Sequence, residues 1–540
     1  MLASYTQNND EERLLLTKLN HYFDPVYYRG SYDYHHIPDM METRNLFHNF
    51  MTSGWKDGRS PSRLFDTIFY LSTNPDVVEL GINPLLHYVL YGKKEGRRAI
   101  RPQAILRQEF DESAKINQQS IQWTGEIDPA SAITLEKLST LIKAAIVQNR
   151  LLLSISHDDY KMTFGGVQNL IEDEQLAFAR HGWTYLHISP TVYPVALADD
   201  VTADMFVVSL RLNGKLIGRV PFSYLLELAS LLVKDGCQIT VIVHHLMRSS
   251  PELITQLIQR TNERPIIWIH DLFSICPSYS LLRNHVTPCG APNMDSISCM
   301  ICDFGKERKN HIRRIQEFFR INKPDVIAPS QTALDKWLQQ GHYAYDKAAV
   351  VPVARLLMDN NPMPIPTQTV KKPLRVAHIG ARVFHKGWST FEKLALEYAD
   401  SGQYEFYQLG YALIGSLPGC VKHIAVETTH DNRDAMISTM LKHRIDVVIN
   451  WSMCAETFSF TAHEALAGGA FLIARKDAGN VWPAIQQNCP EQGMAVETEE
   501  ELIALFADSK FTQKLATAPR RLGFLFPAEN TAHWIMKTRN

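Results

Sequence analysis

The sequence predicts an α/β protein: two doubly wound domains facing a cleft, preceded by a small α-helical repeat module. Three observations carry this. Seven short apolar runs alternate with amphipathic helical stretches, at Leu151–Ser156, Thr184–Ser189, Met205–Leu210, Ile239–His244, Pro265–His270, Asp325–Pro329 and Ala348–Val353. That alternation is the signature of a parallel sheet covered by helices. The proline-rich stretch NPMPIPTQTVKK (361–372) then interrupts it, as a hinge or interdomain linker would. It restarts with Leu374–Ile379, Glu405–Leu409, Asp446–Asn450 and Ala470–Ala474, and two such halves set a cleft between them. At 540 residues the chain exceeds one ordinary core, and 45% hydrophobic with 21% charged residues describes a globular protein.

Taken in order, residues 1–102 hold a degenerate repeat. Phe23-Asp24, Tyr27-Tyr28, His48 and Gly54–Arg59 recur as Phe65-Asp66, Phe69-Tyr70, His87 and Gly92–Arg97. Asn74-Pro75 and Asn83-Pro84 each offer an N-cap with proline at the first helical position, and Gly81 and Gly92 offer left-handed stops. Each unit is therefore expected to be a pair of short helices packed through aromatics, with His48 and His87 as packing residues rather than ligands. Residues 103–148 read as a polar linker followed by a helix from Ile133 to Val147. The first α/β domain spans 149–360, with a Cys-rich loop at 276–302. The second spans 373–512, and the tail 513–540 is expected to pack back on the first.

A net charge of −2 gives no global reason to expect a nucleic-acid partner. No apolar run reaches the eighteen or more residues of a membrane span, and MLASYTQNNDEERLLL lacks a signal-peptide layout. The expectation is a cytoplasmic protein, with peripheral contact at the inner face of the membrane, or with a biosynthetic complex, left open. Eight cysteines in a reducing compartment do not suggest a disulfide framework. Four of them, Cys276, Cys289, Cys299 and Cys302, are spaced C-x12-C-x9-C-x2-C in a loop-like segment. The closing Cys-x-x-Cys is a metal-knuckle spacing, so structural zinc is expected there, against the alternative of ordinary reduced thiols. No cofactor is expected for catalysis. The stretch KERKNHIRRIQEFFRINK (306–323) reads as a basic amphipathic helix. It suits either an anionic lipid surface or a core-packed position with a solvated basic side.

The stretch Asp446–Gly469 concentrates the chemistry. A buried-strand pattern leads into a loop and then a helical pattern from about Phe460, and Glu456 and Glu464 lie eight residues apart along it. Ligands of open α/β sheets bind outside the carboxyl ends of the strands, where this loop falls. Thr461-Ala-His-Glu464 also fits a capping box, which would give Glu464 a purely structural task. Lys386 precedes Gly387 in a second loop after a strand, which suits either a solvated surface lysine or an ammonium beside a phosphate. Thr163-Phe-Gly-Gly-Val167 follows the first strand, and His244-His245 and His270-Asp271 end strands pointing to the cleft.

These residues resemble retaining glycosyltransferases of family 4, which have the GT-B fold of two Rossmann-like domains. Three features match in order over about residues 150–540. They are HIGARVFHKGW (378–388), the strand DVVIN, and the Glu456-to-Glu464 acidic motif with its small-residue turn. The repeat module is similar to N-terminal extensions on some bacterial surface-polysaccharide glycosyltransferases. The resemblance implies an acceptor domain at 149–360 and a nucleotide-sugar domain at 373–512. It implies Lys386 and Gly387 at the donor diphosphate and Glu464 at the ribose hydroxyls. Glu456 would face the donor sugar, with the backbone of Thr457, Phe458 and Ser459 cradling sugar or phosphate. Gly165 and Gly166 match the family's glycine pair near the diphosphate and acceptor. Arg382 stands one position late, since Ala381 holds the place of the family's arginine. His245, and after it His270, is the histidine expected to orient the acceptor hydroxyl or touch the sugar, with a packed or supporting role as the alternative for each. The implied function is retaining transfer from a nucleotide-sugar donor to a growing bacterial surface glycan such as O-antigen or capsule, on a glycan or lipid-linked acceptor. Two alternatives stay open: an inactive glycan-binding or assembly scaffold of the same fold, and a nucleotide-sugar epimerase.

Overall fold

The structure is a computed structural model that describes residues 9–30, 43–62, 64–100, 133–163, 165–192, 195–199, 201–261, 263–361, 373–410, 417–429, 431–528 and 531–538. The predicted linker at 103–130, and 362–372 of the proline-rich stretch, lie outside these residues. The chain divides into two compact units, residues 1–111 with 283–306, and residues 112–282 with 307–540. Most of the Cys-rich segment thus belongs with the repeats rather than with the first α/β domain.

In the repeat unit each copy closes over a buried tyrosine. A Cβ on Gly54 would stand 1.9 Å from the Tyr28 hydroxyl oxygen, and one on Gly92 would stand 2.1 Å from that of Tyr70. Both positions therefore need glycine. The Tyr28 hydroxyl donates to Asn49 Oδ1 (2.7 Å), while that of Tyr70 pairs with His87 Nδ1 (2.9 Å). Asn49, not His48, is therefore the counterpart of His87. His48 is exposed, and His87 is buried. The helix turn before each glycine is wide, with Lys93 N–H reaching Tyr88 O five residues back (2.8 Å). Arg283 and Asn284 bond the carbonyls of Ser72 and Thr73, so the Cys-rich segment packs against the second repeat.

Cys289, Cys299 and Cys302 belong to this unit and Cys276 to the other. Among the described residues no group of three or more His, Cys, Asp or Glu side chains is placed to hold a metal ion. The zinc expectation therefore has no such ligand cluster to rest on.

The first half of the larger unit is an eight-stranded sheet. In chain order its strands begin with β1 (Arg150–Ile155), β2 (Thr184–Pro190), β3 (Val207–Leu212), β4 (Lys215–Pro221), β5 (Gln238–Val243) and β6 (Ile266–Trp268). Two short strands follow, β7 (Leu282–Arg283) and β8 (Thr287–Pro288), which pair only with each other. Then come β9 (Asp325–Ala328) and β10 (Ala348–Val350). The spatial order is β10-β9-β6-β5-β1-β2-β3-β4. Every pairing from β10 to β2 is parallel, but β3 runs antiparallel to both neighbours, a departure from the all-parallel expectation. Asn213 and Gly214, both at positive φ, close the β3–β4 hairpin, as an Asn-Gly turn does.

The second half follows β11 (Ala354–Met358) and contains β12 (Leu374–Ile379), β13 (Tyr404–Gly410), β14 (Val421–Ala425), β15 (Val447–Asn450), β16 (Phe471–Arg475) and β17 (Gly493–Val496). Its sheet order is β14-β13-β12-β15-β16-β17, the 3-2-1-4-5-6 Rossmann order. Both faces are covered. Val376, Val447 and Phe471 join one core cluster, while their neighbours Ala377, Val448 and Leu472 join another. This is why the strands read as continuous apolar runs without alternation. β18 (Gly523–Pro527) pairs antiparallel with β11. The helix Thr531–Thr538 then buries Ala532 and Ile535 in the core of the first half, with Tyr185 and Trp268.

The basic helix, Gly305–Asn322, buries Ile312, Ile315, Phe318 and Phe319, and also Arg308, His311 and Arg314. Arg314 pairs with Glu252 and the Ala198 carbonyl, so part of the basic charge serves the core. Lys309, Arg313 and Arg320 remain on its exposed side. No helix among the described residues is long and apolar enough to cross a membrane.

Candidate functional site

In the second sheet the strand order reverses between β12 and β15, and the crevice beyond their carboxyl ends is the expected ligand position. Lys386 follows β12, and Glu456 follows β15. Their side chains meet there, with Lys386 Nζ 2.7 Å from Glu456 Oε1. The first sheet has its own reversal beside β1, where Gly166 opens the helix Gly166–Arg180. The two reversals share one cavity of about 270 Å³, lined from the second half by Lys386, Glu456 and residues 457–461 and from the first by Gly166, Val167 and His270.

The Lys386 loop is shaped by the protein's own backbone. Gly387 has φ +81°, and a Cβ there would lie 2.2 Å from the Trp451 carbonyl oxygen. Met453 N–H bonds His385 O (2.8 Å), and Ser452 Oγ lies 3.2 Å from the same carbonyl. His378, at the end of β12, bonds the Lys386 carbonyl through Nε2 (3.3 Å). Burial pushes its imidazole pKa down to about 4, so the ring is neutral at this cavity wall.

Burial works against both charges of the Lys386–Glu456 pair, and each partner overrides it for the other. The Lys386 ammonium titrates above its ordinary value and the Glu456 carboxyl below. The lysine side chain keeps 40% of its surface exposed and its partner 10%, so the cation is the member a ligand meets. Ser452 Oγ also donates to Glu456 Oε1 (2.8 Å).

Beyond Glu456 the loop is pinned from the other half. Thr457 Oγ1 donates to the His270 carbonyl, and Ser330 Oγ donates to Thr457 O (2.7 Å). The helix Phe460–Ala467 starts with Ser459 as N-cap, its Oγ accepting from Ala462 N–H (3.3 Å). The cap is therefore not Thr461, and Glu464 lies too far along the helix for the capping box. Glu464 is 6% exposed and does not line the cavity itself. Burial, with Asp434 nearby, raises its pKa to about 7.

The remaining expected residues divide. Gly166 stands against Phe460, where a Cβ would come within 2.8 Å of the ring, so close packing between the halves requires it. Gly165 is extended, and a Cβ there would meet only the flexible end of Gln168. Arg382 lies over Trp388, 5.9 Å from the ring centroid, and does not line the cavity. His245 has both ring nitrogens engaged: Nε2 with Asp271 (2.9 Å), and Nδ1 as acceptor from Met247 N–H (3.0 Å). Of the two histidines expected from the sequence, His270 lines the cavity and His245 does not.

Several residues escaped sequence reasoning. Asn450 spans from β15 to Ser459 and Thr461 (3.3 Å each), holding the helix start. Gly479, at φ +67°, lies against the Glu456 backbone, where a Cβ would fall 2.4 Å from Glu456 O. Arg433 and Asp173 form a bidentate pair between the halves (2.8 Å, 2.8 Å). No local motif marks Gly479, Arg433 or Asp173, whereas Asn450 and His378 lie inside DVVIN and HIGARVFHKGW, which give no sign of what their side chains hold.

No protein-family model and no curated protein matches the chain. Among solved structures it is similar to a sucrose-phosphate synthase from Thermosynechococcus elongatus, at 16% identity and TM-score 0.41, covering 68% of this chain and 92% of that one. It is also similar to TarM, at 11% and 0.39, covering 69% and 94%. A third likeness is to WaaG, described as a glycosyltransferase involved in lipopolysaccharide biosynthesis, at 10% and 0.37, covering 68% and 93%. The fold described above rests on its strand orders rather than on these overlaps.

Proposed function

We propose that the protein is a retaining glycosyltransferase that moves a sugar from a nucleotide-sugar donor to a growing bacterial surface glycan, with a glycan or lipid-linked acceptor. The observation that carries this reading is the Lys386–Glu456 pair, set where two strand-order reversals share one cavity. In the reaction the bond from the anomeric carbon to the diphosphate oxygen breaks. A bond to the acceptor hydroxyl oxygen forms on the same face, and the hydroxyl proton passes to the leaving diphosphate. Lys386 neutralises the charge growing on that leaving group, a preorganised contribution that costs no rearrangement. Glu456 holds the lysine and faces the sugar hydroxyls, and the backbone of 457–459 at a helix start suits an anion or a hydroxyl.

A thermal-shift series with UDP, GDP, dTDP and their sugars tests the reading. One nucleotide family is expected to raise the melting temperature, by the equivalent of about 2.7 kcal/mol at a hundredfold excess over Kd. Absence of stabilisation by every one of them overturns the assignment.

Glu464 supplies a pH signature. Its carboxyl is protonated below about pH 7, whereas two ribose hydroxyls are best accepted by a carboxylate. Binding that requires the ion therefore weakens as pH falls below about 7, approaching tenfold per pH unit. Isothermal titration of the nucleotide at several pH values should show this slope, and Glu464→Gln should flatten it. A wild-type slope of zero removes Glu464 from the ribose.

A further inference from the structure

A buried hydrogen-bond chain leads away from the cavity through His270, and none of the residues behind it has a part in the reading above. His270 Nε2 is 3.1 Å from His244 Nδ1, and His244 Nε2 is 3.1 Å from Glu174 Oε1. Glu174 is fully buried in the middle of the helix Gly166–Arg180. Two further groups meet its carboxylate. The Tyr185 hydroxyl donates to Oε1 (2.7 Å), and Thr531 Oγ1 donates to Oε2.

The proton directions follow from what each group can do. Trp268 Nε1 only donates, and it donates to Thr531 Oγ1 (3.0 Å), so the threonine's own proton is directed to Glu174. A carboxylate only accepts, so His244 must donate from Nε2. A neutral His244 then has a bare Nδ1, which accepts from His270 Nε2–H. The proton of a neutral His270 is thereby fixed on Nε2, and Nδ1 is its free acceptor at the cavity wall. Packing holds the ring: Trp268 stacks on His270 with centroids 5.0 Å apart and planes 6° apart. Burial holds the His270 pKa well below its ordinary value.

We propose that Glu174 is a positioning residue which, through His244, locks His270 as the Nε2–H tautomer and so presents Nδ1 to accept a hydrogen bond from a hydroxyl of the bound sugar. The sugar part rests on the proposed transferase reading, whereas the tautomer lock does not. The device joins three strand ends, one helix and the C-terminal segment. This gives the Thr531–Thr538 helix a task at the site as well as in the core.

Nitrogen-15 NMR of histidine-labelled, ligand-free full-length protein tests the lock, with His270→Phe assigning the signal. His270 is expected to show a protonated Nε2 and a bare Nδ1, unchanged across about pH 5 to 8, where an ordinary imidazole changes charge. Glu174→Ala should convert that signal to a mixed or titrating one, and Tyr185→Phe should leave it as in the wild type. If Glu174→Ala does not fold, His244→Phe removes the acceptor while keeping the ring volume and should release the tautomer in the same way. A wild-type His270 protonated on Nδ1, or a signal unmoved in every chain-breaking variant that folds, overturns the proposal. In transfer assays the chain-breaking variants should lose about tenfold in kcat/KM, the worth of one hydrogen bond. A tautomer lock without nucleotide binding would refute the transferase reading alone.

Discussion

On the proposed transferase reading, Lys386→Met is expected to lower kcat by about 10²–10³-fold, the usual cost of removing a group that stabilises charge formed only in the transition state. Methionine keeps the aliphatic length, so the loss reports the ammonium rather than packing. The substitution also strands Glu456, a carboxylate with 10% of its side chain exposed that keeps the Ser452 hydroxyl (2.8 Å) and the weak Cys454 thiol (3.8 Å) as donors. Orphaning one member of a fully buried pair costs about 3–5 kcal/mol. With the lysine end of this pair 40% exposed, water screens the charge and the expected cost is smaller, about 1–2 kcal/mol. The double variant Lys386→Met with Glu456→Gln separates the two effects. It should recover most of the lost melting temperature, because no uncompensated charge remains, and it should recover none of the rate. Steady-state kinetics alongside thermal melts make the comparison. A single variant within tenfold of wild-type kcat would place the cation outside the reaction.

What the sequence made legible was what depends on neighbours along the chain. Apolar runs such as Asp446–Asn450 announce strands buried on both faces, and the glycine-and-lysine loop after β12 and the glutamate after β15 fall at strand ends by connectivity alone. What it hid depends on partners far away in sequence. Glu174 stands in Glu172-Asp173-Glu174, an acidic run of the kind found on solvated helix faces. Only the fold sets its third member under Tyr185, His244 and Thr531. The helix at the site starts at Phe460, where the sequence pattern placed it, but its N-cap is Ser459 rather than Thr461, and Asn450 and the two hydroxyls form one local network there. His48 looked like the repeat of His87 because the two copies differ in length between tyrosine and glycine. Counting back from Gly54 and Gly92 instead gives Asn49. The β3–β4 hairpin was within reach, since Asn213-Gly214 between two apolar runs is a strong turn signal. The pairing of β11 with β18 joins residues some 170 positions apart, and no periodicity reports it.

Gly387→Ala is expected to be the most damaging single methyl at the site. Read from sequence, this glycine makes room for a phosphate, but in the structure it makes room for the protein. Its φ of +81° already disfavours any Cβ, and the added carbon would fall 2.2 Å from Trp451 O and 2.6 Å from Trp451 Cβ. Backbone does not swing aside as a side-chain tip does, so the 384–388 turn or the end of β15 must move. The left-handed conformation costs about 1–2 kcal/mol, and overpacking adds about 1–3 kcal/mol. Gly402→Ala isolates the first contribution, because Gly402 has φ +65° with nothing within 4 Å of a built Cβ. Denaturant melts should therefore rank Gly387→Ala well below Gly402→Ala, and both below wild type. Only Gly387→Ala should also lose nucleotide stabilisation, because the shift moves Lys386 away from Glu456. Equal destabilisation of the two variants would mean that the turn yields freely at Trp451, and the need for glycine there would return to the phosphate.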